Sequence, residues 1–127
     1  MMKTEKWEQR DFAERRWPLF SNLIGCYFNE DFDLLYGSLD GAVAAAARDG
    51  SLDHRRSILK EWRDWNLSVG LASDLRPILK KCFSIAVRFR KPEQARHLMD
   101  NIYDSSMEGI RGHGIAAEII AQEASGG

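Results

Sequence analysis

Phe83-Ser84-Ile85-Ala86-Val87-Arg88-Phe89 decides the fold class, because this stretch supports two incompatible periods. Phe83, Ile85, Val87 and Phe89 alternate like the inward side of a half-buried strand, whereas Cys82, Phe83, Ala86 and Phe89 fit one face of a helix. No other segment offers a strand partner, and a lone strand would leave its backbone donors and acceptors unpaired. Residues 83–89 therefore read as the continuation of a helix or as an extended turn. The chain as a whole reads as all-α, a compact single-domain bundle of about five or six helices.

Working outward toward the C-terminus, Lys91-Pro92 punctuates the chain, and residues 92–107 predict a helix with Ala95, Leu98, Met99, Ile102 and Tyr103 inward. Gly109, Gly112 and Gly114 then loosen the pattern, so residues 109–127 read as a glycine-containing connection, a last short helix and a flexible end. Toward the N-terminus, Leu75, Ile78, Leu79 and Cys82 predict a helix beginning near Ser73. Pro77 sits too deep for a start at Ser73, so this helix begins later or bends. Ser51 is a candidate N-cap for residues 52–67, whose inward stripe is Leu52, Ile58, Leu59, Trp62 and Trp65. Ser38 is another cap, with Gly41 three positions on and an alanine-rich helix that ends near Gly50. Pro18 opens a helix reaching about Asn29, with Leu19, Phe20, Leu23, Ile24, Tyr27 and Phe28 at helical spacing. Residues 17–108 make the core domain, and residues 1–16 are a charged N-terminal arm or short helix.

A chain of 127 residues with four Trp, six Phe and three Tyr can bury one core without disulfides or metal. Cys26 and Cys82 each sit in apolar surroundings and read as buried free thiols of a reducing compartment. The first sixteen residues mix acids and bases, and no apolar run approaches the roughly 20 residues of a membrane span, so a cytoplasmic location is expected. Net charge is only −1, but it is unevenly spread. Residues 19–50 hold one base and five acids, residues 51–96 hold eleven bases and five acids, and the chain from His97 onward holds one base and five acids. Two oppositely charged surfaces are therefore permitted.

No catalytic constellation is legible. Glu30, Asp31 and Asp33 invite a metal or acid–base reading, but they lack the ligand alternation and central glycine of a calcium loop and no second carboxylate motif joins them. His54, His97 and His113 show no ligand spacing, and Ser57 and Ser84 no activating motif, so a metal-dependent enzyme is the least favoured class and no cofactor or metal is implied. A protein-binding surface suits the acidic run better, because Tyr27, Phe32 and Tyr36 lie beside the carboxylates. A solvated acidic loop is the plain alternative. The basic residues Arg55, Arg56, Lys60 and Arg63 form a second candidate face, continued by Lys80, Lys81, Arg88, Arg90, Lys91 and Arg96. That 55–96 region could make a nucleic-acid-binding helical module, with Trp62 or Trp65 stacking a base if exposed. Solvated faces and protein contacts are preferred to it, since no nucleic-acid motif is present.

Residues 17–38, WPLFSNLIGCYFNEDFDLLYGS, resemble the contact-dependent growth inhibition immunity proteins, a group of small bacterial proteins. The resemblance is carried by the apolar helix ending in Tyr27-Phe28, by Asp31-Phe32-Asp33, by the Tyr36-Gly37-Ser38 exit and by the next helix with Val43. It continues more weakly around Ile58 to Leu79 and Ala95 to Tyr103. It implies an inhibitor, not an enzyme, whose partner is the cognate toxin C-terminal domain, often a nuclease. On that implication Tyr27, Glu30, Asp31, Asp33, Tyr36 and Asp40 form the toxin-binding surface, and Arg55, Arg56, Lys60 and Arg63 form it instead if the toxin is acidic.

Overall fold

Two of the amphipathic runs in this chain begin at a serine that can satisfy a free helix amide. The computed structural model shows how they are used; it describes the backbone of residues 2–126 and the side chains of residues 9–111. Ser38 Oγ accepts from the Gly41 N–H at 3.0 Å and opens a helix over Leu39–Ala46, while Ser51 Oγ accepts from the His54 N–H at 3.2 Å and opens Leu52–Leu67. Among the described residues there are seven α-helices, one 3-10 turn and no strand. In chain order they are α1 (Met2–Arg16), α2 (Pro18–Tyr27), α3 (Phe32–Tyr36), α4 (Leu39–Ala46), α5 (Leu52–Leu67), α6 (Arg76–Phe83) and α7 (Pro92–Gly126), with the 3-10 turn at Val69–Leu71.

The count exceeds the expected five or six for identifiable reasons. The N-terminal charged segment is a helix, α1, which packs on α6 and buries Ala13 completely. The acidic run contains a helix of its own, α3. At the other end two expected helices are one: α7 passes through Gly109, Gly112 and Gly114 without a break, so the predicted connection after Glu108 is helical. A glycine in a helix costs about 1 kcal/mol relative to alanine, which weakens a helix without requiring it to stop. A Cβ at Gly109 would meet the Ala47 carbonyl oxygen at 3.4 Å, an ordinary contact. Gly127, half of the expected flexible end, and the side chain of His113 lie outside the described residues.

The aromatic centre of the core sits between α2, α5 and α6, with Val43 of α4 and Leu98, Met99 and Ile102 of α7 buried in the same cluster. Phe20, Trp65 and Phe83 meet with ring centroids 5.1 to 6.2 Å apart, and Trp17 reaches Phe83 at 6.5 Å. Trp17, Phe20 and Trp65 are fully buried, so the two tryptophans proposed for base stacking, Trp62 and Trp65, are core residues. Trp62 also donates its indole N–H to the Met99 carbonyl at 3.0 Å, tying α5 to α7. The α6 helix starts later than Ser73, as Pro77 requires: Pro77 falls in its first turn, and Asp74 accepts the Arg76 N–H at 3.1 Å. Of the two thiols, Cys82 is buried and Cys26 is exposed on α2, a correction to the expectation that both are buried.

Residues 84–89 reconcile the two periods. Helix α6 ends because Ser84 takes a left-handed conformation, φ 52°, and the chain then runs without helix to Phe89. Ile85 is buried, Val87 and Phe89 are half-buried, and Arg88 is exposed, so the strand-like alternation is real. No ladder accompanies it. The Ala86 N–H donates instead to the Phe28 carbonyl at the end of α2, at 3.0 Å. An extended turn pinned to a helix end is what these residues make.

Candidate functional site

The α2–α3–α4 corner gathers most of the acidic residues proposed as a binding surface, and its geometry follows from two glycines. Gly37 adopts φ +78°, which a side chain resists, and closes α3. Gly41 lies so close to the end of α3 that an added Cβ would sit 2.1 Å from the Tyr36 carbonyl oxygen. The two short helices are thereby folded tightly on one another.

Within this corner Tyr27 and Tyr36 come together, ring centroids 5.2 Å apart and planes tilted by 36°. Both are half-buried, and both pack against the core. Burial pushes the Tyr27 phenol above its ordinary value, and the neighbouring Asp49 carboxylate adds to that, so Tyr27 stays a neutral hydrogen-bonding group. Glu30 and Asp31 lie in the turn before α3, Asp33 in its first turn and Asp40 in the first turn of α4; all are exposed. Their carboxylates make no ion pair or hydrogen bond among the described residues, and Asp31, although it occupies the N-cap position of α3, makes no side-chain cap. They are free to meet a partner. Among the described residues no group of three or more His, Cys, Asp or Glu side chains is gathered to hold a metal ion.

The functional candidates that sequence reading missed are Leu34 and Leu35. Helix α3 buries no residue completely: Phe32 and Tyr36, at i and i+4, turn inward, and this leaves Leu34 88% exposed and Leu35 61% exposed. Part of the signal was present in the spacing, since an inward Phe32 and Tyr36 at i and i+4 place Leu34 on the opposite side, whereas Leu35, at i+3 from Phe32, lies on the flank and its exposure was not legible. An exposed leucine pair bracketed by Asp31, Asp33 and Glu30 is an apolar centre with an acidic rim.

The basic face is less available than its sequence suggests. Arg56 and Lys60 are exposed, but Arg55 is half-buried beside Gly109. Arg63 donates to the Tyr103 hydroxyl at 2.9 Å and lies over its ring at 5.5 Å. Further along, Arg96 donates to the Gly70 carbonyl at 2.8 Å, to Asn66 at 2.7 Å and to Asp100 at 2.7 Å, and Arg76 is held by Asp74. Several bases of the 55–96 region therefore hold the fold together.

Acidic and basic residues also meet. A cleft of about 790 Å³ is lined by Glu30, Phe32 and Asp33 of the α2–α3 region and also by Arg76, Lys80 and Arg88. The two charged regions are thus walls of one feature and are not confined to opposite sides of the molecule. No helix of the described residues is long and apolar enough to cross a membrane. Compared with protein-family models, with curated proteins and with solved structures, the chain matches none.

Proposed function

We propose that this chain is an immunity protein that binds the toxic C-terminal domain of a contact-dependent growth inhibition toxin and neutralises it by covering the active or substrate-binding surface of a nuclease. The observation that carries this reading is the outward side of α3, where Leu34 and Leu35 stand exposed among carboxylates without internal partners. A surface that holds nucleic acid is rich in Lys and Arg. Its blocker needs negative charge for attraction and apolar area for retention. Glu30, Asp31, Asp33 and Asp40 supply the first; Leu34, Leu35 and the accessible parts of Tyr27 and Tyr36 supply the second. Occupying a surface requires no catalytic group on the inhibitor. The cytoplasm, where such a toxin meets its substrate, is the proposed location.

The test is co-expression and pull-down with the protein encoded immediately upstream, together with rescue from its toxicity. Stable binding with rescue is expected. The pair Leu34→Ser and Leu35→Ser should accelerate dissociation by about thirtyfold, the effect of losing about 2 kcal/mol at the centre of an interface. The pair Asp31→Lys and Asp33→Lys should chiefly slow association at low salt. A folded chain that neither binds nor rescues would overturn the immunity reading, and loss of binding only with Arg55→Glu and Arg56→Glu would transfer the interface to the basic face.

A further inference from the structure

The cleft between the α2–α3 turn and residues 84–89 has a chemistry that the outward side of α3 does not share. Glu30 and Asp33 line it together with Lys80 and Arg88, and the apolar groups of Phe32, Ile85 and Val87 line it as well. None of those four charges is in an ion pair among the described residues, although opposite signs line the same hollow. The backbone along the cleft is also incompletely used. Ala86 donates its N–H to Phe28, and the Arg90 and Lys91 N–H groups donate to Gln94 at 2.8 and 3.2 Å, but those of Val87, Arg88 and Phe89 meet no acceptor among the described residues.

We propose that this cleft binds an extended peptide segment carrying charges of both signs, which lies along residues 86–89 and pairs with their free backbone groups. Volume, charge and backbone each select this class of ligand. About 790 Å³ is the size of a small-ligand or short-peptide site. A nucleotide or other polyanion would be repelled by Glu30 and Asp33, a polycation would be repelled by Lys80 and Arg88, and a wholly apolar ligand would strip water from all four without compensation. A peptide with one acid and one base answers both signs. Its own N–H and C=O groups answer the unpaired backbone, as in the addition of a strand to an open edge, and its apolar side chains meet Ile85 and Val87. Residues 87–89 also border a second hollow of about 580 Å³, lined by Leu39, Gln94 and Leu98, so this run is open on more than one side. The cleft shares Glu30 and Asp33 with the surface proposed for the toxin, but Lys80, Arg88 and the 86–89 backbone belong to the cleft alone, so the test at these groups fails or succeeds separately from the immunity reading.

The experiment is a titration of the ¹⁵N-labelled chain with four end-capped octapeptides of Val and Thr, followed by amide shifts and hydrogen exchange. One peptide carries a Lys and a Glu, one carries two Lys, one carries two Glu, and the fourth is the Lys/Glu peptide with alternate amides N-methylated. The Lys/Glu peptide should shift the Ala86, Val87, Arg88 and Phe89 amides and slow exchange chiefly at Val87 and Phe89, since an added strand pairs with alternate residues of one edge and the Ala86 N–H already donates to Phe28 on the other. N-methylation should weaken it by about tenfold, the effect of losing one or two net hydrogen bonds. The double variant Lys80→Glu and Arg88→Glu should weaken it similarly while leaving amides remote from the cleft unshifted, which verifies the fold. The proposal is overturned by an absence of shifts at about 1 mM peptide, by binding that N-methylation does not weaken, or by tighter binding of either single-sign peptide.

Discussion

Two carboxylates one helical turn apart on α5 do opposite things to stability. Glu61 accepts the Leu19 and Phe20 N–H groups at 2.9 and 3.1 Å, and so caps α2, whose own N-cap residue, Trp17, supplies no side-chain acceptor. Its burial nevertheless outweighs those bonds and raises the carboxyl above its ordinary 4.5. The unfolded chain therefore releases this proton first as pH rises. Stability from this group is present below 4.5 and lost as pH climbs toward the raised value. The variant Glu61→Gln keeps an acceptor without the charge, and in urea titrations it should gain on the wild type across that interval. Asp64 has the reverse sign, because hydrogen bonds from Arg16 and Trp17, the latter 2.7 Å long, lower it from 3.8. Its contribution is present above 3.8 and disappears as pH falls through the lowered value, so the gap between wild type and Asp64→Asn should close in acid. Replacing Glu61 by Ala instead should cost about 1 to 2 kcal/mol at neutral pH, the usual cost of a lost cap, read as a lower urea midpoint.

At the level of elements, the α3–α4 corner concentrates both the design and its vulnerability. Gly41→Ala drives a Cβ into the Tyr36 carbonyl and cannot be relieved by turning a side chain, so it should cost about 2 kcal/mol or more and lower the melting temperature. Leu34→Ser with Leu35→Ser removes no buried contact and should change stability by only about 0.5 kcal/mol. That contrast separates a binding role from a folding role for α3. The caps at Ser38 and Ser51 and the inward stripe from Ile58 to Trp65 were legible in sequence because helix initiation and helix period are local properties. The late start of α6 was legible for the same reason, through Pro77. The continuity of α7 was not, because α7 packs on α4 and α5 across the molecule and local propensity, lowered by Gly109, carries no trace of that. Cys26 was misread as buried because an apolar neighbourhood in sequence does not say which side of α2 a residue occupies. The acidic half of the candidate site was readable as composition, whereas its leucine centre depended on the inward turn of Phe32 and Tyr36.

For the whole molecule, the uneven charge along the chain is partly spent inside it. Arg96 joins α7 to the end of α5 and to the 3-10 turn, and its guanidinium also lies over the Trp62 ring at 5.8 Å. Arg96→Lys keeps the charge but not the planar set of donors, and should lower stability by about 1 to 2 kcal/mol with an unchanged denaturant slope. Arg76 and Arg63 are engaged similarly. The field outside the protein is consequently less polarised than the distribution of bases along the sequence, and exposed charges without an ion pair among the described residues include those of the α3 corner, Lys80, Arg88, Arg56 and Lys60.

The cap that Glu61 provides also orders events in time. The first amides of α2 are satisfied by a residue 42 positions later, so on a growing chain α2 has its apolar face and Pro18 but no terminating partner until α5 has been made. Helix nucleation is the costly step, and a distant cap postpones its reward. The α2–α5 contact should therefore form as one event, with Glu61→Ala and Phe20→Leu slowing refolding in proportion to the stability each removes.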